Sequence, residues 1–223
     1  MSAPREVVPI LMTMVNPASV LDVGCGTGTW LKAFEEQGIA DYLGVDGNYV
    51  DRTMLRIPEK NFVAIDITKP FDLSRKFDLV LSLEVAEHLP PSVADTFVST
   101  LVRHGTAILF SCAIPGQGGQ NHLNEQWPAY WSKKFAAYGY YFHDSIRPMI
   151  WDNEKVEWWY RQNIFLVTQQ KSEALPLSLV HPRLFESNAN YVRDHQQKAA
   201  SGGAFYKTLR TLKSRLKSFI QSK

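Results

Sequence analysis

Glu84-Val-Ala-Glu87-His88 and, further along, His122 bring two carboxylates and two imidazoles into this chain at spacings that suit proton transfer or metal binding. Free histidine titrates near 6.5, so His122 and His88 can take a proton from a hydroxyl at neutral pH, and Glu87 stands beside them. If the chain turns helical here, Glu84, Glu87 and His88 sit at i, i+3 and i+4 and share one face. Glu84, Glu87, His88 and His122 then make a candidate divalent-metal set, with the carboxylates favouring Mg or Mn. The competing reading leaves the same residues metal-free, as the wall of a cleft.

A second group is Val20-Leu-Asp-Val-Gly-Cys-Gly-Thr-Gly28. Gly24, Gly26 and Gly28 allow a tight turn and close approach of backbone to a ligand. The spacing is Gly-x-Gly-x-Gly, not the Gly-x-Gly-x-x-Gly of dinucleotide sites, and the Gly-Lys-Ser/Thr of a phosphate loop is missing. Asp22 would repel a pyrophosphate and attract an ammonium. Asp46 and Asp66 follow the next two apolar runs, where carboxylates can meet ribose hydroxyls and an adenine amine. Together these acids fit a cationic, ribose-containing ligand without phosphate.

The stretch from Ala113 to Trp131 is rich in amides and aromatics. Asn124 with Trp127, Trp131 and the later Trp158 suits a polyhydroxylated acceptor, because indoles stack on sugar faces. Core packing is the alternative for the tryptophans.

These groups need a scaffold. Ser19–Val23, Tyr42–Asp46, Phe62–Ile65, Phe77–Ser82 and Thr106–Phe110 are short apolar runs separated by helical spacings at 6–15, 29–37 and 92–102. Strands buried on both faces and alternating with helices predict an α/β fold, a doubly wound Rossmann-like and mostly parallel sheet. Tyr140–Met149 and Arg161–Thr168 are expected to add an antiparallel edge hairpin, after a helix at 127–138. The expected organisation is a catalytic domain over 1–170, a connector over 171–203 and a basic amphipathic helix over 204–223.

Composition is that of an ordinary globular chain, with 45% hydrophobic and 21% charged residues. Two cysteines exclude a disulfide scaffold and suit a cytoplasmic protein. The net charge of +2 conceals a split. Seven of the 24 basic residues and none of the 22 acids lie from His195 onward, so residues 1–194 carry a net of −5. The acidic body argues against nucleic acid as a partner. The tail, with apolar residues at helical steps, is expected to pack on the body or a second subunit, to dock on the anionic inner face of a membrane, or to bind nucleic acid or stay disordered.

Leu21-Asp-Val-Gly-Cys-Gly-Thr-Gly28, Leu43-Gly-Val-Asp46, Ala64-Ile-Asp66 and Phe77 to Leu89 together resemble the class I S-adenosylmethionine-dependent methyltransferases, of the type 11/23 kind. The resemblance implies S-adenosylmethionine as cofactor, bound by Asp22, Gly24, Cys25, Gly26, Gly28, Asp46, Gly47, Asp66, Ile67 and Leu83. Gly24 and Gly26 would pass the methionine moiety, Asp46 would hold the ribose, and Asp66 and Ile67 would bracket the adenine. The Glu-x-x-Glu-His turn is similar to that of metal-dependent O-methyltransferases acting on the 3′ ends of small RNAs. The loop after Ala113 resembles one common among enzymes modifying sugars and surface glycans. The expected function is O-methylation of a hydroxyl on a glycan or other small polar acceptor. RNA 2′-O-methylation and a non-catalytic scaffold of the same fold are the alternatives.

Overall fold

A computed structural model describes residues 2–172, 174 and 176–199. They divide into two compact units at His181–Pro182. The first opens with α1 (Ser2–Met14), β1 (Ser19–Val23), α2 (Thr29–Glu36), β2 (Asp41–Asp46), β3 (Phe62–Ala64) and β4 (Phe77–Leu83). It continues through α3 (Ala94–His104), β5 (Gly105–Ser111), α4 (Pro128–Ala136), β6 (Tyr141–His143), α5 (Arg147–Ile150), α6 (Trp158–Asn163) and β7 (Phe165–Thr168).

The seven strands form one sheet in the order β3-β2-β1-β4-β5-β7-β6. The first five are mutually parallel, and β7 runs antiparallel to both β5 and β6. Burial explains the apolar runs. Successive side chains leave opposite faces of a strand, and here both faces are covered. Leu79 and Leu81 join Val7, Leu11, Leu31 and Phe34 on one side. Val80 and Phe110 join Phe97, Leu101, Trp131 and Phe135 on the other.

The edge hairpin forms, but with shorter strands than the sequence suggests. Residues 147–150 and 158–163 are helical instead. Pro148 sits in the first turn of α5, where its missing N–H is not needed. Arg147 gives the reason the segment leaves the sheet. Its buried guanidinium bonds the Asp144 carboxylate and the Gln162 carbonyl, which ties the two helices together.

In the second unit residues 182–199 are helical, within the stretch the sequence reading treats as connector. The basic segment 204–223 lies outside the described residues. Among the described residues no helix is long and apolar enough to cross a membrane.

Candidate active site

Strand order reverses between β1 and β4, so the loops leaving their carboxyl ends diverge and open a crevice. The glycine loop fills the β1 side. The N–H groups of Gly24 and Cys25 both donate to the Val45 carbonyl, at 2.8 and 3.2 Å, folding the loop back over the end of β2. Gly24 takes φ +85°, and a Cβ there would collide with Val85 on the loop after β4. This close approach brings the two chemistry-bearing loops together. Gly28, at φ +77°, caps α2 and packs on Ile57; it shapes the loop and lies outside the crevice lining.

Two cavities flank Gly24. One, of about 360 Å³, is lined by Asp46, Gly47, Asp66, Ile67, Glu84 and His88 among others. The other, of about 280 Å³, is lined by Asp22, Cys25, Gly26, Trp30, Leu83 and Tyr160 among others. Every residue the sequence assigns to the cofactor except Gly28 thus borders one or both.

The three acids differ sharply. Asp46 is buried; its Oδ2 accepts from Gly26 N at 2.7 Å and its Oδ1 from Gly47 N at 2.7 Å and from the Tyr49 hydroxyl. Tyr49, 79% exposed, is a residue sequence reasoning missed. Most of the ring is open, but partial desolvation where the hydroxyl meets Asp46, and then the bond itself, push its phenol up to about 12, so it stays a donor. Asp66 is held by the Thr68 hydroxyl and amide and by Lys69, which pull its pKa down. It makes the local turn as well as bordering the cavity.

Asp22 is 2% exposed, and its Oδ2 has no hydrogen-bond partner. Burial, then the nearby Asp46 charge, lifts its pKa to about 8. A buried acid with an orphan oxygen beside a cavity fits an incoming ammonium. A cation that holds Asp22 ionised must release its proton below pH 8. Affinity for S-adenosylhomocysteine should therefore rise from pH 6 to 8 by roughly tenfold per unit and then level off. Asp22→Asn should flatten that slope and weaken binding by about 10–100-fold, the worth of one charge-assisted hydrogen bond. Calorimetric titration across this range, at constant ionic strength, checks both; an unchanged slope in the variant would refute the assignment.

On the β4 side the expected shared helical face does not form. Glu84 takes φ +54° and precedes a single 3₁₀ turn, Ala86–His88. Its buried carboxylate accepts from Gln117 Nε2 at 2.9 Å and Asn163 Nδ2 at 3.1 Å. Burial still raises its pKa. The four-residue metal set accordingly reduces to three: Glu87, His88 and His122 each offer a ligand atom within 4.8 Å of the others, while amides claim Glu84.

Glu87 is fully buried, and neither of its oxygens has a hydrogen-bond partner. Burial, then repulsion from Glu84, raises its pKa to about 8. Burial, then the adjacent His122, lowers that of His88. The rings of His88 and His122 meet edge to face at 4.8 Å. Backbone locks the arrangement, since the N–H groups of Leu123 and Asn124 donate to the Glu87 carbonyl at 2.7 and 2.9 Å. Two orphan carboxylate oxygens beside two imidazoles suit a proton acceptor or a divalent cation alike.

The aromatic predictions divide. Trp131 is 2% exposed and packs on Phe110, so it is core and not acceptor wall. Trp127, 40% exposed, remains available. Trp158 lies on α6 with its ring edge against Trp159 and borders neither cavity. Asn124 is buried; its Oδ1 accepts from Gln126, and its Nδ2 is unpartnered. Besides Tyr49, the sequence reading missed Asn163 and Glu125. Asn163 carries no local signal, but Glu125 lies three residues after His122, a spacing that could have flagged it.

A family model described as a methyltransferase domain matches residues 3–163. No curated protein sequence matches the chain significantly. Among solved structures, the methyltransferase domain of bacterial CtHen1-C aligns with a TM-score of 0.55 at 19% identity, covering 75% of this chain and 97% of its own. The sugar N-methyltransferase KedS8 from Streptoalloteichus aligns with a TM-score of 0.58 at 16% identity, covering 76% and 87%. The small RNA methyltransferase HEN1 aligns with a TM-score of 0.51 at 17% identity, covering 77% of this chain but 26% of its own. At these identities the likeness is one of fold.

Proposed function

The chain belongs to the methyltransferase-domain family, and we propose that it transfers the methyl group of S-adenosylmethionine to a hydroxyl of a glycan or similar polar acceptor. The observation that carries this reading is the cluster of Glu87, His88 and His122 beside the crevice. The bound cofactor supplies an electrophilic methyl on a sulfonium. The chain's part is to hold and to deprotonate. Asp22 faces the ammonium, Asp46 the ribose hydroxyls, and Asp66 and Ile67 the adenine edge. An unactivated hydroxyl must lose its proton as its oxygen takes the methyl. His122 or His88 accepts that proton, with the Glu87 carboxyl, its pKa raised to about 8, beside them as a second group able to exchange it. Fixing acceptor and methyl in line supplies a further roughly 7–11 kcal/mol of the barrier.

The acceptor side is written in neutral groups. Gln117 borders Glu84, Trp127 is exposed, and among the described residues no cationic cluster lines the two cavities. The test is transfer of radiolabelled methyl to a panel of mono- and oligosaccharides, with and without chelator. Labelled sugar that disappears in His122→Ala supports the reading; transfer only to amines or to protein would refute it.

A second reading is transfer to a 2′-hydroxyl of RNA, favoured by the fit of the same three residues to Mn or Mg. In that case Glu87, His88 and His122 would hold the cation, which would polarise a ribose diol. Methylation of a short RNA that needs Mn and stops with chelator, with no label on sugars, would decide for it. The net of −5 over residues 1–194 weighs against it.

A further inference from the structure

The loop from Ile114 to Gln126 is organised around one carboxylate. Glu125 Oε2 accepts from Gly116 N at 2.8 Å, and Glu125 Oε1 accepts from Gly118 N at 2.8 Å. Oε1 also lies 2.8 Å from Nδ1 of His122. Both side chains are mostly shielded, at 13% exposure for His122 and 19% for Glu125. The next glycine, Gly119, presses against the same ring, and any Cβ there would collide with His122 Nε2.

With both oxygens accepting from glycine amides, Glu125 serves as an acceptor, and the hydrogen between these groups belongs to the imidazole. Neutral histidine carries one ring proton, and spending it at Nδ1 leaves Nε2 bare. The two glycine amides fix the carboxylate, the carboxylate fixes the ring, and Gly119 limits its rotation. We propose that Glu125 is a positioning residue that holds His122 in its Nδ1–H tautomer, so that Nε2 is the atom able to take a proton or a metal. This rests on the methyl-transfer reading only for what Nε2 does next; the tautomer itself is independent of it. The same division, in which a carboxylate orients a histidine whose other nitrogen does chemistry, recurs in catalytic and metal sites.

Glu125→Leu discriminates this role from simple loop packing. It removes the acceptor at Nδ1 and leaves nothing to hold the ring proton there. Long-range ¹H–¹⁵N correlation spectra of the ligand-free, ¹⁵N-labelled protein read the tautomer directly, above pH ~7 where a free imidazole is mostly neutral. His122→Asn assigns the signal among the six histidines. The expected result is the Nδ1–H pattern in the wild type and in Glu125→Asp, and its loss in favour of Nε2–H in Glu125→Leu. A wild-type Nε2–H pattern, or an unchanged spectrum in Glu125→Leu, overturns the proposal.

The consequence for turnover is read on the acceptor found by label transfer. Placing the proton on the wrong nitrogen costs up to ~10⁴ in comparable dyads. Glu125→Leu should therefore lower kcat by roughly 10²–10⁴ while leaving KM for S-adenosylmethionine unchanged. A switched spectrum with full turnover would uphold the tautomer and instead overturn His122 as the group doing the chemistry.

Discussion

Asp46→Ala is expected to weaken binding of S-adenosylhomocysteine by two to four orders of magnitude. A ribose diol bound by a carboxylate makes two hydrogen bonds to a charged group, each worth about 1.5–3 kcal/mol. The same substitution strands three donors that Asp46 now satisfies, Gly26 N, Gly47 N and the Tyr49 hydroxyl. Gly26 belongs to the loop that lines the methionine side of the crevice, so the loss should extend beyond the ribose. Asp66→Ala supplies the contrast. Unlike that of the buried Asp46, its side chain is half exposed, so water can replace what is lost, and its removal should cost less than about tenfold, the worth of a single ordinary hydrogen bond. Calorimetry on both variants separates them. Equal losses would mean that the ribose is not held at the end of β2.

Glu87→Gln should leave that affinity intact and reduce turnover by roughly 10²–10⁴, the range contributed by a positioned acid–base group. The exchange nearly conserves volume, so the core around it should survive. It removes a buried carboxyl whose oxygens have no partner and whose pKa is lifted to about 8. A group left in that state is costly to the fold and is poised near neutrality for proton transfer. The raised pKa carries a second expectation. The folded chain keeps this proton between about pH 4 and 8 while the unfolded chain loses it, so stability falls as pH rises through that window. Glu87→Gln, which cannot ionise, should flatten part of the fall. Thermal unfolding of the ligand-free variant at pH 6 and 8 measures it. A full kcat with unchanged pH dependence would place Glu87 outside the chemistry.

The glycine-loop side of the crevice was legible because it is written in contiguous residues. Gly24, Gly26 and Gly28 lie within one loop, and Asp22, Asp46 and Asp66 mark strand ends that apolar runs make visible. A parallel sheet places successive strand ends on one edge, so local readings converge on one crevice. The acceptor side was legible in composition and not in arrangement. Trp131 reads like Trp127 in sequence; one is sealed against Phe110 and the other is open. Their i, i+4 spacing would put both on one helix face, but Trp127 is the extended residue just before α4 while Trp131 lies within it.

Glu84 makes the point most directly. Its spacing to Glu87 and His88 fits one helical face, and a helix would have aligned all three. The chain instead takes a left-handed residue at Glu84 and a short 3₁₀ turn after it. That conformation is sustained by Gln117 and Asn163, donors distant in sequence. The sequence by itself determined the sheet, the glycine loop and the acids that border the crevice, since burial period and strand-end placement are local properties. Only the tertiary structure decided that Glu87, His88 and His122 come together, that Glu84 bonds Gln117 and Asn163 instead, and that Glu125 meets His122. Those assignments depend on hydrogen bonds between segments that meet only when the loops after β4 and β5 fold onto each other.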